Sequence, residues 1–254
     1  SGRKISFIDA NEANGFLPSP DELDGSAYVI YLCSPNNPTG AVYGKEGLQK
    51  WVDYAKRSGS LIIFDSAYEA FIHGDEPHSI YAIEGAESCA IEICSLSKTA
   101  GFTGTRCAWT VVPKALTACD GTPLNKLWMR RQATKFNGVP YVVQRAAEAA
   151  LSEQGMKECR ELIDYYMENA KNISDLLKRK NIWFTGGVSS PYIWLKCPGN
   201  MGSWEFFDML LNKVQVVGTP GEGFGKCGEG YFRLTSFGSH EATGEAIRRL
   251  ETVL

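Results

Sequence analysis

The sequence predicts an α/β protein in which a mainly parallel sheet is followed by a smaller α+β part. Two short apolar runs rich in β-branched and aromatic residues, at 27–32 and 61–65, are typical of buried strands. Between them, residues 45–58 carry apolar side chains at helical spacing. A helix that connects two buried strands makes a β-α-β unit, which favours parallel pairing. Beyond residue 180, strand and helix patterns alternate and predict the second part.

The elements of the first part follow from the same periodicities. The helix at 45–58 has one apolar face, which we expect to pack on the sheet. Its members are Leu48, Trp51, Val52 and Ala55. The other patterns of this part predict strands at 4–8, at 90–94 and at 105–112, the last closed by Pro113.

A long helical pattern from 139 to 180, with a break near Gly155, leads into the second part. The patterns that follow predict strands at 191–196, 214–217 and 231–236, and helices at 203–212 and 241–253. We expect the boundary between two domains near residue 150, which divides the chain into 1–150 and 151–254.

Composition narrows the class of protein. The net charge of -3, with no basic stripe, argues against a nucleic-acid or membrane-surface partner. No apolar run is long enough to cross a bilayer, and no signal peptide opens the chain, so a cytoplasmic protein is expected. The eight cysteines are scattered without metal-ligand spacing, which favours reduced structural thiols and predicts no metal site.

Three strand ends carry polar residues suited to chemistry. The strand at 27–32 runs into a Pro/Asn/Gly turn that contains Asn37. Asp65 ends the strand at 61–65 and Tyr68 comes just after it, and Lys98 follows the strand at 90–94. In open α/β sheets, ligands gather outside the carboxyl ends of the strands. We therefore expect these side chains to share one site.

Lys98 lies in a run of small residues, close to two serines and an arginine. By itself, a lysine in a Ser/Thr/Gly loop is usually a solvated surface residue. Together with Asn37 and Asp65, however, the run suits an aldehyde cofactor that carries a phosphate. The lysine would bind the aldehyde covalently, and the serines and the arginine would bind the phosphate.

With these residues the chain resembles the fold-type I pyridoxal-phosphate aminotransferases, the broad aspartate aminotransferase family. The matching motifs are Asn-Pro-Thr-Gly at 37–40, Asp-x-x-Tyr at 65–68 and Ser-x-Ser-Lys at 95–98, with Arg106 at the phosphate-binding arginine position. The resemblance implies that 1–150 is the C-terminal part of the cofactor-binding large domain and that the strand at 105–112 runs antiparallel. The remainder would be the interdomain helix and the small domain.

The resemblance also implies roles for these residues with pyridoxal 5'-phosphate as cofactor. Lys98 would hold the cofactor and move the substrate α-proton, and Asp65 would pair with the pyridine nitrogen. Tyr68 and Asn37 would hydrogen-bond the phenolic oxygen. The predicted phosphate ligands are Ser95, Ser97 and Arg106, although Ser97 could equally well only shape the loop.

Two further residues are candidates for substrate binding, besides Asn37. Arg233 lies in an apolar strand, where an unpaired guanidinium is costly. In the family this position binds the substrate α-carboxylate; a structural salt bridge is the alternative. Asn137 resembles a residue that reaches a substrate or cofactor group across a dimer interface, and is otherwise a turn asparagine.

Within the family, the extended wording of these motifs is similar to the branch that acts on LL-diaminopimelate. That implies transamination of LL-diaminopimelate with 2-oxoglutarate, in lysine biosynthesis, by a cytoplasmic homodimer. The alternative enzyme is an aspartate, aromatic or broad-specificity aminotransferase. Because the family's large domain begins upstream of Ser1, we expect the chain to be the C-terminal portion of a longer protein. A catalytically silent fragment is therefore a second alternative.

Overall fold

The first half of the chain forms a four-stranded sheet in which three strands run parallel. The computed structural model describes residues 2–23 and 25–254. The strands are β1 (Val29–Cys33), β2 (Leu61–Asp65), β3 (Ala90–Ser95) and β4 (Ala108–Val111), in the order β1-β2-β3-β4. β2 pairs in parallel with both β1 and β3, and β4 is antiparallel to β3. This is the predicted arrangement, including the reversed direction of the last strand.

The second half forms a separate four-stranded antiparallel sheet. Its strands are β5 (Phe184–Gly186), β6 (Tyr192–Lys196), β7 (Thr219–Pro220) and β8 (Tyr231–Thr235), in the order β5-β6-β8-β7. The α-helices of the described residues are α1 (Lys45–Ser58), α2 (Leu96–Thr99), α3 (Leu124–Lys135), α4 (Tyr141–Ala150), α5 (Glu153–Arg179), α6 (Ser203–Val214) and α7 (His240–Leu250). A parallel sheet followed by an antiparallel one with helices confirms the predicted fold class.

Helix α1 covers one face of the first sheet. Its predicted apolar face is buried, and it packs with Ile30, Leu32, Ile62 and Phe64 in one core. Gly59 ends the helix in the left-handed conformation, φ 69°, with its N–H on the Ala55 carbonyl. Since side chains alternate along a strand, the other face of β1 and β2 carries the remaining residues. Among these are Tyr31, Cys33 and Asp65.

Helix α5 connects the two sheets. Eight of its residues are buried, several of them in the core of the second sheet. The Arg160 guanidinium donates to the Ala70 carbonyl, 3.1 Å away, in the first half of the chain. The helical break lies at 151–152, before Gly155, because the Ser152 hydroxyl caps α5 by accepting the Gly155 N–H. The boundary near residue 150 stays a prediction.

Two predicted strands are wrong. Residues 4–8 have no regular secondary structure, and Ile5 and Phe7 are 73% and 86% exposed. Residues 214–217 form no strand, because α6 extends to Val214 and Gln215 ends it with φ 54°. The strand of that region is β7, two residues later. No helix in the described part of the chain is long and apolar enough to span a membrane.

Glu92 is a buried carboxylate in β3, the strand that leads to Lys98. It accepts hydrogen bonds from the Ser79 hydroxyl at 2.9 Å and from the Ile80 N–H at 3.2 Å. Burial raises the pKa of the Glu92 carboxyl, and the hydrogen bonds only partly oppose this. The side chain therefore ties the turn at Ile80–Ala82 to the sheet.

We expect Glu92→Gln to remove a pH-dependent loss of stability. Because its pKa is raised in the folded state, the native chain binds this proton more tightly than the unfolded chain does. The free energy of unfolding should therefore fall as pH rises from the ordinary glutamate pKa of about 4.3 through the raised value. Glutamine still accepts from Ile80 but carries no charge, so the fall should disappear.

Urea unfolding across that pH range measures this difference. Glu92→Ala is the comparison, since it leaves both donors unpaired and should cost about 1–3 kcal/mol. Parallel pH profiles for the parent protein and the glutamine variant would contradict the prediction.

Candidate functional site

Asp65 is held at the end of β2 by two donors. The Tyr31 hydroxyl donates to one carboxylate oxygen at 2.7 Å, and the Ala67 N–H donates to the other at 3.1 Å. Burial and the neighbouring carboxylate raise the pKa of Tyr31, so the phenol stays protonated and keeps donating. Burial and Asp65 also raise the pKa of the Cys33 thiol to about 12. The carboxylate is thus oriented by neutral groups.

Tyr68 lies one turn beyond Asp65 and reaches the second sheet. Its hydroxyl is 2.7 Å from the hydroxyl of Tyr192, the first residue of β6. The two rings meet edge to face with centroids 5.2 Å apart. Burial, together with this hydrogen bond, raises the pKa of Tyr68, so its hydroxyl is neutral at physiological pH.

Arg233, in the middle of β8, also joins the two halves of the chain. Its Nη1 donates to the Asn37 side-chain oxygen at 2.5 Å, and its Nη2 donates to the Thr219 hydroxyl at 3.1 Å. The guanidinium carbon lies 4.5 Å from the ring centroid of Tyr192 and 4.9 Å from that of Phe224. Its buried Nε has no partner among the described residues. No carboxylate pairs with Arg233 in the described part of the chain.

Lys98 is half-buried on the short helix α2. The helix begins at Ser95, whose hydroxyl accepts the Ser97 N–H at 3.1 Å. The Lys98 Nζ lies 5.4 Å from the ring centroid of Phe237, in the segment after β8. Phe237 in turn meets the Tyr192 ring edge to face, at 6.2 Å. Lys98 is therefore directed at the same aromatic cluster as Tyr68 and Arg233.

Arg106 lies at the exposed end of the loop that follows α2. It is a non-glycine residue at φ 59°, and its Nη1 donates to the Thr103 carbonyl at 2.8 Å. Thr103 donates its hydroxyl to the Ser97 carbonyl at 3.0 Å. Thr103 thus connects the arginine to the Ser97 end of α2.

Asn137 lies apart from this group. It is exposed at the end of α3, with its N–H on the Gln132 carbonyl at 2.8 Å. Within the described residues it makes no hydrogen bond to any other predicted site residue.

The donor set fits a phosphate-bearing pyridine aldehyde. An amine, a carboxylate and a phenol are the groups that bind the aldehyde, ring nitrogen and phenolic oxygen of pyridoxal phosphate. Hydroxyls and a guanidinium at one end suit a phosphate. The unpaired Nε of Arg233 is a buried donor that an anion would satisfy.

Three residues that contact the predicted site residues were not predicted: Tyr31, Tyr192 and Phe237. A signal exists for Tyr31, since period-two alternation along β1 places it on the same face as the residue paired with Asp65. Thr219 lies in the glycine-rich run at 218–225, which contacts Arg233 through Thr219 and Phe224. Tyr192 and Phe237 have no local signal, because each meets its partners only across the fold.

Comparison with known proteins gives matches to aminotransferases. The profile of the family "aminotransferase class I and II" matches residues 4–250. The chain is 55% identical over 253 residues to an LL-diaminopimelate aminotransferase of Prochlorococcus marinus, covering 97% of this chain and 61% of that protein. It is 58% identical over 251 residues to one of Lachnospira eligens, covering 98% and 61%.

Among solved structures, the L,L-diaminopimelate aminotransferase from Chlamydomonas reinhardtii matches with a TM-score of 0.91 at 41% identity. The match covers 96% of this chain and 60% of that one. The chain therefore spans about three fifths of the length of the relatives that it matches.

Proposed function

The chain belongs to the class I and II aminotransferases, and from that membership we propose that the protein transfers amino groups with pyridoxal 5'-phosphate as its cofactor. One observation carries the proposal. Lys98, Tyr68 and Arg233 come from distant parts of the sequence and all contact the cluster of Tyr192 and Phe237. An amine, a phenol and a cation thus lie against one pair of aromatic rings.

The cofactor supplies an electron-withdrawing ring conjugated to the substrate nitrogen. In this proposal, Lys98 binds the cofactor aldehyde and later takes and returns the substrate α-proton at Nζ. Asp65, held by Tyr31 and Ala67, keeps a proton on the pyridine nitrogen. Tyr68 donates to the phenolic oxygen, since its phenol is neutral.

The phosphate would be bound at the start of α2 and in the loop behind it. Ser95 and Ser97 contribute hydroxyls there, and Arg106 contributes a guanidinium that can bind two oxygens at once. The Thr103 contacts with Ser97 and Arg106 support a common role for the two.

Arg233 and Asn37 would bind the α-carboxylate of the amino acid or 2-oxo acid. Their mutual hydrogen bond orients the guanidinium, and Thr219 holds its other edge. A carboxylate could then accept from a cation already fixed in position, which reduces the entropy lost on binding.

We further propose LL-diaminopimelate and 2-oxoglutarate as substrates, giving glutamate and tetrahydrodipicolinate, or the reverse in lysine biosynthesis. The support is the identity of 55% and 58% to relatives that carry this name. We also propose a cytoplasmic homodimer, in which Asn137 reaches a substrate or cofactor group of the partner. Its exposed position at the end of α3 is compatible with that role.

A substrate profile of the natural full-length protein tests this proposal. We expect turnover of LL-diaminopimelate with 2-oxoglutarate, with kcat/KM at least about tenfold above that for aspartate or aromatic amino acids, because a hydrogen-bonding site discriminates against analogues that leave its groups unpaired. Preference for aspartate or an aromatic amino acid would favour the alternative enzyme. Turnover by the 254 residues alone would exclude the silent fragment.

Tyr31→Phe should weaken the hold on Asp65 without removing the carboxylate. Loss of one neutral hydrogen bond costs about 1 kcal/mol, so the Kd for pyridoxal phosphate should rise about fivefold. Cofactor fluorescence titration measures it. Tyr28→Phe is the matched control, because Tyr28 is 82% exposed just before β1. An unchanged Kd in the Tyr31 variant would show that Tyr31 does not support the cofactor.

A further inference from the structure

Tyr192 contacts both the proposed cofactor-binding and substrate-binding groups. It is the first residue of β6 and is 6% exposed. Its hydroxyl lies 2.7 Å from the Tyr68 hydroxyl. The face of its ring lies under the Arg233 guanidinium, with the guanidinium carbon 4.5 Å from the ring centroid. Tyr192 therefore contacts Tyr68 through its hydroxyl and Arg233 through its ring.

The direction of the hydroxyl contact follows from proton counting. Each phenol carries one proton, so only one of the two can donate across the 2.7 Å contact. If Tyr68 donates its proton to the phenolic oxygen of the cofactor, its own oxygen is left to accept from Tyr192. Donation in series strengthens each bond, so Tyr192 makes Tyr68 a better donor.

The ring contact acts on the other group. Asn37 and Thr219 accept hydrogen bonds from the two Nη atoms of the Arg233 guanidinium. A cation over an aromatic face is attracted to the ring and stacks on it. The Phe224 ring also lies near, at 4.9 Å, but the Tyr192 ring is the nearer of the two, and so contributes most to setting the plane in which the guanidinium presents its donors.

We propose that Tyr192 is a positioning residue that serves both halves of the reaction. Its hydroxyl sets the donation of Tyr68 to the cofactor, and its ring sets the plane of Arg233 toward the substrate carboxylate. This inference rests on the proposed function of the site. It goes further in assigning two separable tasks to one residue outside the family motifs identified above.

Two substitutions separate the tasks. Tyr192→Phe removes the hydroxyl and keeps the ring, whereas Tyr192→Leu removes both. The full-length protein loaded with pyridoxal phosphate is titrated with pH, and the absorbance of the bound cofactor is followed. Binding of a dicarboxylate inhibitor to the same protein is measured by calorimetry. Tyr166→Phe is the matched control, because Tyr166 packs on Phe237 at 5.0 Å and its hydroxyl bonds no described residue.

For Tyr192→Phe we expect the midpoint of the absorbance titration to rise by about 0.5 to 1 pH unit, since a weaker donor stabilises the anionic oxygen less. We expect kcat to fall about fivefold and inhibitor affinity to stay within about twofold. Tyr192→Leu should shift the titration equally and weaken the inhibitor about tenfold as well. The control should match the parent protein.

Three results would overturn the inference. A Tyr192→Phe titration that coincides with that of the parent would show that the Tyr192 hydroxyl does not affect the donation by Tyr68. Equal loss of inhibitor affinity in Tyr192→Phe and Tyr192→Leu would show that the ring does not orient Arg233. The loss would then come from general destabilisation. Failure of the unsubstituted full-length protein to bind pyridoxal phosphate would overturn the proposed function itself, and this inference with it.

Discussion

Lys98→Ala is expected to abolish both turnover and the covalent capture of pyridoxal phosphate. Lys98 is half-buried on α2 and is directed at the Phe237 ring, close to Tyr192. The proposal gives it two tasks, binding the aldehyde and moving the α-proton. Proton transfer by a positioned side chain alone is worth about 10²- to 10⁴-fold. With covalent binding also lost, kcat should fall by at least about 10⁴-fold.

Borohydride reduction followed by peptide mass mapping measures the capture directly. In the parent protein we expect one cofactor per chain, confined to the peptide that contains Lys98. Lys114→Ala is the control, because Lys114 is an exposed lysine outside the site. Labelling of the Lys98 variant to the same extent as the parent, or spread over surface lysines, would rule out Lys98 as the cofactor lysine.

Arg233→Ala is expected to reduce kcat/KM for both the amino acid and the 2-oxo acid by about two to three orders of magnitude. Truncating one partner of a buried charge pair costs about 2–5 kcal/mol, and the guanidinium is held ready for a carboxylate by Asn37 and Thr219. The loss should appear in KM, since the carboxylate is bound in the ground state as well.

Steady-state kinetics with both substrates tests this expectation. Arg233→Lys keeps the charge but loses the paired donors, so it should recover only part of the loss. Arg248→Ala, on the exposed face of α7, should behave like the parent. Pyridoxal phosphate affinity should stay unchanged in all three variants. A kcat/KM for Arg233→Ala within about threefold of the parent would exclude the carboxylate role.

The elements that sequence patterns predict well are those with one buried face. The bounds of α1 and β2 match the predicted 45–58 and 61–65, because burial of alternate or every third to fourth side chain leaves a period in the sequence. The apolar residues of α3 are spread around the helix and form no stripe, so no pattern predicts this helix.

The two strands that were wrongly predicted, at 4–8 and 214–217, fail because apolar β-branched residues alone do not determine a strand. The run at 4–8 has the composition of a strand, but a strand also needs a neighbour to bond with, and that requirement is not local. Val214 and Val216 are both buried, one at the end of α6 and the other in the loop after it. A run that contains Val214 and Val216 predicts a strand, although a helix end and a loop can bury these side chains as well.

The positions of Asp65, Tyr68, Lys98 and Asn37 at the carboxyl ends of strands were predictable from the β-α-β pattern. Their role in a cofactor site stays a prediction. Tyr192 was not predictable, since nothing in its local sequence distinguishes it from a core aromatic. Its partners Tyr68 and Arg233 are 124 positions before it and on a neighbouring strand, respectively.

The hydrogen bond between Asn37 and Arg233 spans 196 positions of the chain. During synthesis the asparagine is made long before the arginine, so this hydrogen bond can form only after β8 has been made. Contacts between residues far apart in sequence are associated with slower folding. If this pair binds the substrate carboxylate as proposed, recognition there requires that β8 has been made and that the two sheets are in contact.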